Sequence, residues 1–161
     1  MKSTYLIILF SIVLNIQGCW EREFYCFWVE NNSDYDIVLH YNFIDAKHIY
    51  PDTLFSIEVS ADKRLIRAHS THKHNYFAER LEDYVHKMPK DTLSFFFFHA
   101  DTLEKYPLEI LQRDYKILRR YDLSSQDVIK LKRKYKNVPE IPYPPDERMK
   151  DMKMWPPYGS E

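Results

Sequence analysis

The chain has 161 residues, 45% of them hydrophobic and 16% aromatic, which is enough apolar material for one domain with its own core. Lysine and arginine number 23 against 24 aspartate and glutamate, and this near-neutral balance gives no overall electrostatic footprint for nucleic acid. With two glycines, Gly18 and Gly159, it also lacks the glycine-rich phosphate loops, nucleophile elbows and dinucleotide fingerprints that need close backbone approach.

The N-terminus reads as the signal of an exported lipoprotein over residues 1–18. Lys2 supplies a short positive region, and Tyr5 to Leu14 is apolar apart from Ser11. That run is shorter than the roughly 20 residues needed to span a bilayer. Gly18 is the small residue a lipoprotein signal peptidase takes directly before its cysteine, so Cys19 is the expected lipidation site. Ile16 and Gln17 hold places where Leu and then Ala or Ser are more usual. Lipid on Cys19 leaves Cys26 alone, without an intramolecular disulfide; among Phe24, Tyr25, Phe27 and Trp28 it reads as a small core residue.

After a tether at residues 19–23, Phe24 to Glu30 reads as a strand and Asn31 to Asp34 as a turn. Asp36 to Phe43 alternates, with Ile37, Leu39, Tyr41 and Phe43 on one face, and the two strands together suggest a β-hairpin. Thr53 to Val59 alternates as well, Ser60 to Lys63 forms a turn, and Arg64 to His69 is a short strand. Thr71 to Asn75 is polar, and Tyr76 to His86 has helical spacing.

Thr92 to His99 holds four consecutive phenylalanines, the pattern of a strand buried on both faces. Asp101 caps a short turn, Leu108 to Gln112 allows one helical turn, and Lys116 to Leu123 is a strand. Ser124 with Asp127 forms a capping box before a helix reaching roughly Lys134. Lys136 to Tyr143, interrupted by Pro139 and Pro142, suits an edge strand, and residues 144–161 form a proline-rich tail favouring extended conformations. The expectation is one mainly β domain over 24–143, sandwich-like with two or three short helices; a two-layer α+β arrangement is the alternative. With so little glycine, positive φ would fall to Asn31, Asn32 or Asp62.

Three imidazoles, His69, His72 and His74, could converge on a zinc ion if their segment curls, although Lys73 sits among them with no carboxylate nearby. Asp-Thr-Leu occurs three times, at Thr53, Thr92 and Thr102, and matches an acceptor pattern for O-glycosylation of exported bacterial proteins. The same tripeptide is also a good turn-to-strand sequence. Trp155 and Tyr158 in the tail are the aromatics best suited to touching a partner protein or glycan. Carboxylates and serines form no acid/base or nucleophile set, so neither an enzyme nor a cofactor is expected.

The signal with Cys19, the segment HADTLEKYPLEILQRDYKILRRYDLS from His99 and the tail YPPDERMKDMKMWPPY resemble small uncharacterised lipoproteins of Bacteroidetes-type bacteria. The resemblance implies a cell-envelope location, in the outer membrane on either its periplasmic or its surface face, and a single small domain. It brings no activity and no site residue. The resulting expectation is a non-catalytic, lipid-anchored interaction module, with metal binding at the histidines or a structural role in an envelope assembly as alternatives.

Overall fold

The computed structural model describes residues 25–41, 50–52, 54–55, 64–77 and 79–160, and over these the chain is mainly β, with nine strands in two sheets and four short helices. The readings placed on Cys19, Thr53, the strand beyond Phe55, the turn at 60–63 and the side chain of Cys26 lie outside the described residues. One sheet is built from β1 (Tyr25–Asn31), β4 (Ser70–Phe77), β7 (Lys132–Lys134) and β8 (Val138–Tyr143), in the order β4-β1-β8-β7. The other is built from β2 (Ile37–Tyr41), β3 (Leu65–Ile66), β5 (Thr92–His99), β6 (Arg119–Ser124) and β9 (Lys153–Trp155), in the order β3-β2-β5-β6-β9.

The two sheets share one core. Phe27 of β1 meets Tyr41 and Phe95 edge-on, at centroid distances of 5.4 and 5.5 Å, and Phe97 stacks on Tyr143 at 5.1 Å. Successive side chains of a strand point to opposite faces, so Phe96 and Phe98 look the other way. There α2 (Ala100–Lys105) and α3 (Leu108–Arg113) cover them with Leu103, Leu108 and Leu111, and Phe55 joins the same cluster. All four phenylalanines are fully buried, which explains the uninterrupted run. Burying each contributes about 1.5–3 kcal/mol. At one end α1 (Leu81–His86) and α4 (Ser125–Lys130) close the sandwich with Leu81, Val85 and Val128. The capping box of Ser124 and Asp127 starts α4 as its sequence requires.

Several expectations are corrected. β1 and β2 form no hairpin: β1 pairs with β4 and β8, whereas β2 pairs with β3 and β5. The chain crosses between sheets at 31–36, where buried Asn31 holds the crossing by donating to the carbonyls of Tyr35, Ile66 and Arg67. The polar stretch Thr71 to Asn75 is the middle of β4, an edge strand, and Tyr76 and Phe77 finish it, so the helix begins only at Leu81. α4 stops at Lys130, and the basic residues after it form β7.

β8 is an interior strand despite its prolines. Asn32 N donates to Tyr143 O at 2.7 Å, so alternation directs the backbone groups of Tyr143, Ile141 and Pro139 toward β1, and those of Pro142 toward β7. Pairing with β7 covers residues 138–140, and pairing with β1 covers 140–143. Each proline's missing N–H therefore falls where no ladder bond is needed.

The tail is part of the domain: Met149 and Met152 enter the core, and β9 pairs antiparallel with β6. Among the described residues other than glycine, positive φ occurs at His69, Lys90, Asp91, Tyr115 and Asn137, so Asp91 and Asn137 are of the expected types, Asn31 and Asn32 are not among these positions, and Asp62 lies outside the described residues.

Candidate functional site

The three histidines do not converge. His69 lies beyond the end of β4, and its Nε2 is 2.9 Å from Asp34 Oδ1 on the exposed surface. His72 and His74 share one face of β4, with ring centroids 4.8 Å apart. His74 is buried and stacks flat on Phe27 at 4.9 Å, and its Nε2 has no hydrogen-bond partner among the described residues. Among these residues no group of three or more His, Cys, Asp or Glu is placed to hold a metal ion. The geometry of a strand explains this correction: alternation turns Lys73 outward between the two rings, and a turn separates His69 from both.

Burial, then the nearby His72 and Arg64, lower the His74 pKa from its ordinary value to about 3. The folded state thus holds this ring neutral, while the unfolded chain protonates it near pH 6.5. Its contribution to stability is complete above about pH 6.5 and is lost as pH falls toward 3, by at most about 1.4 kcal/mol per pH unit. Urea titrations between pH 7 and 4 should show this slope. His74→Phe, which keeps the stack on Phe27, should flatten it; an unchanged slope in that variant would assign the acid sensitivity to other groups.

Two of the three Asp-Thr-Leu threonines are described. Thr92 is buried at the start of β5 and donates to Lys90 O at 2.9 Å, so it is corrected from glycan acceptor to turn-to-strand residue. Thr102 lies half-buried in the first turn of α2.

The tail aromatics are brought to a built surface. Trp155 lies opposite Arg120 in the β6–β9 register and keeps 42% of its surface exposed. The Tyr115 ring meets it edge-on at 4.9 Å. Arg120 Nη1 donates to the Tyr115 hydroxyl at 2.6 Å, and Arg120 Nε lies 3.1 Å from the buried carboxylate of Asp122, which also accepts from Ser94 Oγ at 2.7 Å. Burial raises the Tyr115 pKa, and because its oxygen accepts from Arg120, its own O–H is left to donate. Beside it Lys153 donates to the Tyr50 hydroxyl and lies 4.6 Å from that ring's centroid.

Arg119 fixes the tail from the opposite face of β6. Its Nη1 donates to Pro156 O at 2.9 Å and Pro157 O at 3.3 Å, and its Nη2 donates to Ser160 O at 3.0 Å. Tyr158, 39% exposed, stands between these clamped carbonyls. On the Arg120 face the result is a ledge of two aromatic rings, Trp155 and Tyr115, with phenol and ammonium groups at its edge, while Tyr158 follows the Arg119 clamp on the other face. Such a surface can stack on a sugar ring or an apolar side chain and hydrogen-bond its rim. Sequence reasoning found Trp155 and Tyr158 but missed Tyr115, Arg119 and Arg120. The adjacent arginines in a strand otherwise bound for the core were the available signal. Compared with known proteins, the chain matches no family model, no curated protein and no solved structure.

Proposed function

We propose that the protein is a non-catalytic, lipid-anchored module of the cell envelope that binds a protein or glycan partner on the ledge of Tyr115 and Trp155. The observation that carries this reading is the half-exposed Trp155 on an edge strand whose continuation Arg119 locks by its backbone. A large ring presented without conformational freedom loses little entropy on binding. The anchor follows from the apolar run ending in Gly18-Cys19, and β1 begins six residues after that cysteine. Lipid would hold the ledge permanently near envelope partners.

The test is cross-linking in native membranes with a photoreactive residue at Lys153, two positions before Trp155 on β9, with intact mass read on the same preparation. A discrete adduct is expected, along with a mass showing acyl groups on Cys19. Trp155→Ala should weaken the adduct about 30-fold or more, as truncating an aromatic anchor does. Its stability should fall by only about 1 kcal/mol, since the ring is half exposed. The same adduct at full yield from Trp155→Ala would remove the ledge as the binding surface.

A further inference from the structure

The parallel pairing of β1 with β8 defines which end of the domain lies nearest Cys19. Trp28 pairs with Glu140 and Asn31 with Tyr143. Followed back from Trp28, β1 runs toward the same end of the sheet as the turn Tyr135–Asn137 that precedes β8. Cys19 lies six residues before Tyr25 and can be no farther from it than about 20 Å. α4 leads into β7, which runs from opposite Glu140 to opposite Val138 and so toward this turn. Arg133 ties helix to turn, donating to Val128 O and Asn137 O, each at 3.2 Å.

Two features mark this end. Tyr135, 79% exposed, and Ile129, 52% exposed, are the most exposed large hydrophobic side chains among the described residues. The charges around them are also sorted by depth. Lys130, Lys132 and Lys134 have side chains 62%, 46% and 31% exposed, whereas their partners Asp127 and Glu140 are 17% and 1% exposed. Arg133 pairs with Glu82 in the same layer. The Lys130 and Lys132 ammonium groups therefore stand outside their carboxylates, while that of Lys134 lies back over the sheet, 3.4 Å from Thr71 Oγ1 and 5.9 Å from the Trp28 ring centroid. The aromatic ledge lies toward the other end: Phe95 meets Phe27 early in β1 and Phe97 meets Tyr143 at the end of β8, so Arg119, paired with Phe97, and the tail it clamps are far from the tether.

We infer that this end is a membrane-facing foot, with Tyr135 and Ile129 in the headgroup layer of the bilayer that holds the Cys19 lipid and Lys130 and Lys132 against its anionic headgroups. The inference rests on the anchor reading and adds an orientation to it. A phospholipid surface fits both features at once: an amphipathic ring and an aliphatic chain suit the interface, and lysines pass their stems along apolar surface while their charges reach phosphate. The short tether brings such a surface within reach of this end.

The test uses the lipidated full chain in vesicles of phosphatidylcholine, with or without phosphatidylglycerol, and in detergent. Lysines are acetylated by a water-soluble reagent and read by mass spectrometry. Labelling of Lys130 and Lys132 relative to Lys105 should fall about threefold or more with phosphatidylglycerol, and high salt should reverse the fall. The double variant Ile129→Ser, Tyr135→Ser should lose the protection without a change in melting temperature. Equal labelling in every medium, from protein that floats with the vesicles, would overturn the foot and leave the anchor standing. A chain without acyl mass that still binds phosphatidylglycerol vesicles with these lysines protected would uphold the foot and remove the anchor. Protection in native membranes but not in vesicles would assign the surface to a protein and overturn the inference.

Discussion

Asn31→Asp should cost about 4 kcal/mol, a large share of the roughly 5–15 kcal/mol that holds a domain of this size together. Asn31 is fully buried, and its Nδ2 donates to Tyr35 O at 2.8 Å, Arg67 O at 3.0 Å and Ile66 O at 3.2 Å. Its Oδ1 accepts from Ser33 N at 3.1 Å and Ser33 Oγ at 2.7 Å. Aspartate has the same shape but no donor, so carbonyls satisfied by the amide would face a buried carboxylate instead. Asn31→Ala removes the donors without adding charge and should cost less, about 3 kcal/mol. Asn32→Asp is the control, because that side chain is exposed and should change stability by less than about 0.5 kcal/mol. Urea denaturation followed by circular dichroism decides it. An Asn31→Ala variant as stable as the unaltered chain would show that the amide's donors do not hold the crossing, and equal stabilities for the two variants would show that the carboxylate adds no further cost.

A chain ended after Tyr143 should show no cooperative unfolding transition. The truncation removes Met149 and Met152 from the core, and each such side chain contributes about 1.5–3 kcal/mol. It also uncovers the edge of β6 and leaves the Arg119 guanidinium, whose residue is only 9% exposed, without its carbonyl acceptors. Removing Tyr158 to Glu161 alone should cost far less, because Pro156 O and Pro157 O remain for Arg119. Near-ultraviolet circular dichroism and amide exchange distinguish the cases. A truncated chain melting like the full one would show that the tail is an accessory strap, available to a neighbouring subunit.

The parts of this fold legible in the sequence are those in which one residue type has one physical use. A run from Thr92 to His99 with four phenylalanines can lie only between two apolar layers, and it does. Ser124 with Asp127 can satisfy two backbone donors at once, and it starts a helix. What misled was polarity used internally. His72 and His74 face Phe27 and the core, so β4 carries a strand's alternation without its hydrophobic signature. Pro139 and Pro142 suggested an edge because the sequence does not show that β7 and β1 cover different halves of β8.

Alternation also says nothing about which sheet a strand joins, so β1 and β2 looked like partners. For the tail the prolines outweighed a better clue, the spacing of Met149, Met152 and Met154. Of the candidate site, the exposed rings were readable. The arginines that position them were not, because their acceptors are backbone carbonyls with no residue-type signature.

The pairing of β1 with β8 joins residues more than a hundred positions apart. A chain that leaves the ribosome N-terminus first thus presents β1 early and its parallel neighbour very late. Until residue 143 has emerged, β1 can pair only with β4, and the other edge of this aromatic strand has nothing to bond. β6 likewise waits for β9. Such long-range closure makes folding slow and leaves a sticky edge open while it lasts. The protein should therefore depend on a holding chaperone during its synthesis far more than its small size suggests.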